Sequence, residues 1–161
     1  MSQTHIHLLI THLPIFGSIL GAFVLAHALW TKSNQTKIAA YNLFIIAAIG
    51  AGIAYLTGEA AEETVENIQG IAKNMIDEHE DFAVFALISL IILGLTSIAG
   101  LFLTIRKSSF TRTTAFGILF ISLISFALVA RTGYLGGQIR HTEIANGANV
   151  PAEHSENEKD D

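Results

Sequence analysis

The sequence predicts an all-α integral membrane protein, a four-helix bundle of up-down-up-down topology. Hydrophobic residues fill 51% of its 161 positions and charged residues only 14%, whereas an ordinary soluble domain carries roughly 25% charge. Four apolar runs are each long enough to cross a bilayer, which takes about 17–25 helical residues. The charges are segregated as well, with all fourteen acids on one side of those runs. This composition excludes a disordered chain, a nucleic-acid binder and most soluble enzymes. The net charge of −5 offers no basic field to phosphates, and there is no cysteine. Disulfides, thiolate metal sites, iron–sulfur clusters and covalent haem attachment are therefore all excluded.

The first span is expected over about 8–30. Met1–His7 has no Lys or Arg and the apolar run outlasts a signal-peptide core, so the span is read as retained. Gly17 and Gly21 are four apart and let another helix approach closely. The second span, about 38–56, carries no charge and repeats the small-residue pattern at Ala48 and Gly52. Residues 59–80 place Val65, Ile68, Ile71, Met75 and Ile76 at helical spacing among acids. They predict an outer amphipathic helical connection, interrupted near Gly70 and lying over the bundle. The third span, about 82–105, is uncharged to its end. The fourth, about 113–135, carries Arg131 near its close. From 146 to 161 the chain is acidic and without apolar periodicity, which predicts a disordered tail after a transmembrane domain of residues 1–145.

Orientation follows from the short loops. Lys32 and Lys37 join spans one and two, and Arg106, Lys107 and Arg112 join spans three and four. By the positive-inside rule these loops are cytoplasmic and both termini are outside. Trp30 falls at the inner interface, which favours an indole. The setting expected is a bacterial plasma membrane, with lipid as the first partner and a redox protein or a second copy as further ones.

The chain also reads as two similar hairpins. His12 and His79 open the odd spans, while Ala54-Tyr-Leu-Thr-Gly58 and Val129-Ala-Arg-Thr-Gly133 close the even ones. His12 is 45 residues from Thr57 and His79 is 53 from Thr132, which agrees within a loop insertion. Such an internal repeat, about an axis along the membrane normal, would turn both histidines toward one axis.

The histidines carry the chemistry. Six of the seven lie in the outer half, and His5 and His12 are two turns apart on one face, with His7 on another. A titratable group inside a span faces the interior or a partner, which singles out His12, just before Pro14. His79 lies in the acidic run 77–81, and His141 follows span four. His12 and His79 on diagonal spans, roughly 11–14 Å apart between axes, are the expected axial ligands of a b-type haem, which needs no cysteine. Arg131 is the expected propionate partner, and His141 a substitute ligand. A second chemistry uses His5, His12, His79, His141 and Glu59 as donors for zinc or copper. A third reading is a structural subunit without cofactor. The alternative reading of His5, His7 and His154 is an interfacial polar group with no special role, and Arg131 would otherwise snorkel outward or pair with Glu59. The signatures of di-iron carboxylate proteins, HExxH enzymes, P-loops and serine hydrolases do not occur.

The pattern of His5, His12-Leu-Pro14, a histidine opening span three and Gly133-Tyr-Leu-Gly-Gly137 followed by His141 resembles the DUF2231 family of four-span membrane proteins. The resemblance runs to about Ala148. Some relatives look fused to Rieske-type iron–sulfur domains, which implies a redox setting and haem over a bare metal. The stretch Thr142-Glu-Ile-Ala-Asn departs from the Gly-Val-rich continuation usual in the family, at the position of His141.

Overall fold

The computed structural model describes the backbone of residues 3–66 and 73–140, and the side chains of residues 5–58 and 76–138. Helices α1 (Gln3–Ile10) and α2 (His12–Trp30) make the first span. Single helices α3 (Asn34–Glu66), α4 (Lys73–Ile105) and α5 (Thr111–Arg140) make the other three. The segments long and apolar enough to cross a membrane are His5–Trp30, Asn34–Gly58, Ile76–Ile105 and Thr111–Gln138. At 1.5 Å per residue these run beyond a hydrocarbon core about 30 Å thick. Their ends therefore reach the headgroup layers, past the purely apolar runs that mark spans in a sequence.

Side-chain distribution is inverted relative to a soluble protein. Phe23, Leu56, Leu95 and Phe120 point outward and are 63–80% exposed, whereas Ser18, Ser97, Ser122 and Ser125 are fully buried. Lipid-facing bulk around a core of small and hydroxyl side chains is the pattern a bilayer favours. Helix α2 packs on α3 and α5, and α4 packs on the same two, so α2 and α4 are diagonal; α1 lies against α3. The predicted Gly17–Gly21 face is a real contact surface. A Cβ on Gly17 would fall 2.7 Å from Ala47 Cβ, and one on Gly21 2.4 Å from the Phe44 ring. Of the other pair, Ala48 meets Gly94 on α4 while Gly52 faces open space.

Three local features shape the chain. Pro14 has no N–H for the Ile10 carbonyl, and the first span steps at Thr11, which itself keeps helical dihedrals (φ −60°, ψ −24°). The two basic turns are built alike. Lys32 and Lys107 each adopt a left-handed conformation (φ 56° and 53°). The following serine donates its N–H back to the helix, Ser33 to Ala28 and Ser108 to Leu103, both at 3.0 Å, in the arrangement of a Schellman closure. Finally, α3 runs on to Glu66 and α4 starts at Lys73. The amphipathic connection is thus helical where described, as continuations of two spans. Its expected break near Gly70 lies outside the described residues, as does the tail 146–161.

The repeat has a definite register. Lys32 and Lys107, Lys37 and Arg112, Ala40 and Ala115, and Thr57 and Thr132 are all 75 residues apart. Each half is a helical hairpin with a Lys-Ser turn at its basic end and a Thr-Gly pair near the acidic end.

Candidate functional site

At the acidic end two imidazoles reach from the odd spans onto the even ones. His7, on α1, donates Nδ1–H to the Ala54 carbonyl of α3 at 2.9 Å, with Thr57 Oγ1 at 3.3 Å. His79, on α4, donates Nδ1–H to the Thr132 carbonyl of α5 at 3.0 Å. Both rings are partly buried, and Gly136 makes room for His79. A Cβ on Gly136 would lie 3.0 Å from His79 Cε1, and one on Gly58 would lie 3.6 Å from His7 Cε1. A carbonyl can only accept, so in each neutral ring the proton sits on Nδ1 and the Nε2 lone pair is left available.

The pairing obeys the repeat register. His7 corresponds to position 82 of the second half, three residues deeper than His79. Its acceptor Ala54 corresponds to position 129, three residues deeper than Thr132. The counterpart of His79 is therefore His7. His12 is not that counterpart: it is exposed, bonds its Nδ1 to the Leu8 carbonyl of its own turn at 2.9 Å, and stacks on Phe16. The expectation that it faces the bundle axis is corrected by helix phase. Pro14, Gly21 and Ala28 form the buried stripe at seven-residue spacing, and one step of seven before Pro14 is His7. His5 and His12 share the opposite, exposed stripe. The small-residue face, extended past the proline, would have found His7 in the sequence.

Arg131 is also placed. Its Nη2 bonds Glu78 Oε1 at 2.8 Å, and its guanidinium stands 5.5 Å from the Phe82 ring and 5.6 Å from the Tyr134 ring. Glu78, beside His79, is thus its ion-pair partner among the described residues. Arg131 and Thr132 of α5 hold Glu78 and His79 of α4 side by side. The Glu59 side chain and His141 lie outside the described residues.

Beneath the pair is an apolar cleft of about 80 Å³. Ala51 and Ala54 of α3 face Ala83 and Ala86 of α4 across it, and Val129 and Thr132 of α5 close its back. Ala54 and Thr132 also supply the carbonyls that hold the imidazoles. The cleft is too small to enclose a macrocycle. Among the described residues no three His, Asp or Glu side chains converge to hold a metal ion.

These features define a four-span membrane protein with a histidine pair at its acidic end. A family model described as a predicted membrane protein, DUF2231, matches residues 3–143. The chain belongs to that family. No curated protein and no solved structure matches it.

Proposed function

We propose that the protein is a b-type haem protein of a bacterial plasma membrane, passing electrons to or from a partner in or outside that membrane. The axial ligands are His7 and His79. The observation that carries this reading is that both Nδ1–H groups are anchored on backbone carbonyls, leaving two neutral imidazoles whose Nε2 lone pairs have no partner among the described residues. Anchoring of the second nitrogen is how ligating histidines are usually fixed. The donor set, though not the small cleft beneath it, suits haem better than a bare ion. A porphyrin brings four nitrogens and needs one or two axial ligands, whereas zinc held by protein takes three or four side chains. When bound, haem supplies one-electron chemistry. The chain would supply the ligands and fix their tautomer, and Arg131, ion-paired with Glu78 beside His79, would be the cation nearest to a propionate. The basic turns support a position of this end outside the cytoplasm, by the positive-inside rule.

Protein made with ample haem supply and purified in mild detergent is expected to show a Soret band and, on dithionite reduction, a sharp α band. Substituting His7→Ala or His79→Ala removes the low-spin spectrum, and His12→Ala retains it. A colourless, folded protein overturns the proposal. Bound zinc or copper on elemental analysis would then favour metal binding, and none a structural subunit.

A further inference from the structure

The basic half of the bundle encloses three hydroxyls without giving them partners. Tyr41 Oη on α3 and Ser97 Oγ and Thr104 Oγ1 on α4 make no hydrogen bond among the described residues. Tyr41 and Ser97 are 0% exposed and Thr104 is 2%. Buried polar groups left unpaired are rare and costly, so three in one place call for a shared cause.

The three are gathered around Gly100. Ser97 and Thr104 flank it by one turn on the same face of α4. A Cβ on Gly100 would fall 3.0 Å from Tyr41 Cζ, so the phenol lies across the glycine between them. One turn nearer the basic end is Lys37, itself 6% exposed, whose Nζ bonds Asn34 Oδ1 at 3.2 Å. Toward the acidic end the unpaired hydroxyls stop at Leu90 and Leu93, which are at most 1% exposed; the buried Ser125 and Ser18 beyond them are bonded to the Ser89 and Ile15 carbonyls.

We propose that Tyr41, Ser97 and Thr104 bind an internal water that enters from the basic end past Lys37. The basic half of the bundle is then a hydrated well closed by Leu90 and Leu93. Water suits the groups because it both donates and accepts, and a buried water typically satisfies about three otherwise unpaired partners. A metal cation suits them poorly. No carboxylate is present at this end, and the charges nearest to hand are the cations Lys37 and Arg112, which feel one another. This assignment is independent of the histidine pair.

The sign of a stability change tests it. If the hydroxyls hold water, Tyr41→Phe and Thr104→Val each lower the melting temperature in detergent, by about 2–6 °C. If they are merely orphaned, both substitutions relieve a penalty and raise it. A rise or no change in either variant overturns the proposal. Sidedness is read with Ser97→Cys, since the chain has no cysteine of its own. Silver ion added to the basic side of oriented vesicles should consume the introduced thiol, and silver on the acidic side should not. A thiol unreactive from the basic side, or equally reactive from both, overturns the well. A melting temperature that follows chloride or sodium at constant ionic strength makes the occupant an ion and also overturns it.

Discussion

His7 and His79 hold equivalent stations in two copies of one hairpin, each handing its Nδ1 proton to a carbonyl of the next span. His7 lies one turn deeper than His79 in the repeat register, and its acceptor Ala54 lies one turn deeper than Thr132. A shift on one helix matched by the same shift on its antiparallel neighbour leaves the local geometry unchanged. The step at Thr11 belongs to the first half alone, because only that half has a proline at this place.

Removal of either ring is expected to destabilise the bundle even without cofactor. His79→Ala leaves the Thr132 carbonyl without its imidazole and a gap against Gly136, and His7→Ala does the same at Ala54 and Gly58. Each should cost about 1–2 kcal/mol. His12→Ala, which breaks only a bond within its own exposed turn, should stay within about 0.5 kcal/mol of wild type. Thermal unfolding of the cofactor-free protein in one detergent compares all three, and a His12 effect equal to the others would contradict the assigned faces.

Glycine substitutions separate contact from coincidence. Gly94→Ala puts a methyl 2.7 Å from Ala48 Cβ, so α3 and α4 must move apart, at about 1–3 kcal/mol. Gly52→Ala and Gly117→Ala meet nothing within 4 Å and exchange a poor helix former for the best, a gain of up to about 1 kcal/mol. Unfolding midpoints should fall for the first and hold or rise for the other two.

The spans, their number and the up-and-down order are legible in the sequence because hydropathy and charge segregation act on every residue of a run. Helix phase is harder to read where apolar residues surround a helix, since lipid-facing and core-facing positions then look alike. That is why His12, the more deeply placed histidine, was expected to turn inward, whereas His7 is the one that reaches α3. His79 was legible, being the first histidine on its span. Arg131 was legible as a charge at that end, but its pairing with Glu78 was not, because several acids lie there and only packing selects among them.

The two lysines in left-handed conformation store a little strain. A non-glycine residue there costs roughly 1–2 kcal/mol relative to the ordinary helical region. Lys32→Gly should relieve part of it and raise stability by up to about 1 kcal/mol, and Lys107→Gly should act alike because the turns share one closure. The gain should appear as higher melting temperatures for both variants. A loss at one turn and a gain at the other would break the proposed equivalence of the hairpins.

Topology can be read with single cysteines, since the chain has none. Asp77→Cys stands at the acidic end and Ser109→Cys in a basic turn, and both positions are exposed. With the basic turns in the cytoplasm, a membrane-impermeant maleimide should label Asp77→Cys in intact cells and Ser109→Cys only after permeabilisation. The reverse pattern would put the histidine pair on the cytoplasmic face and exclude an extracytoplasmic electron partner.

The ion pair beside His79 is expected to position rather than to stabilise. Arg131 and Glu78 are 44% and 49% exposed at their side chains, and exposed pairs of this kind contribute about 0.2–1 kcal/mol. A double-mutant cycle with Arg131→Gln and Glu78→Gln should return a coupling in that range. It should shrink as salt rises to about 1 M, where the screening length falls to roughly 3 Å. Arg131→Gln alone should cost more than Glu78→Gln alone, because the guanidinium also lies near the Phe82 and Tyr134 rings. A coupling well above 1 kcal/mol that ignores salt would mean that the pair is far more enclosed at the membrane surface than its exposure indicates. Arg131 would then be committed to Glu78 and unavailable to a propionate.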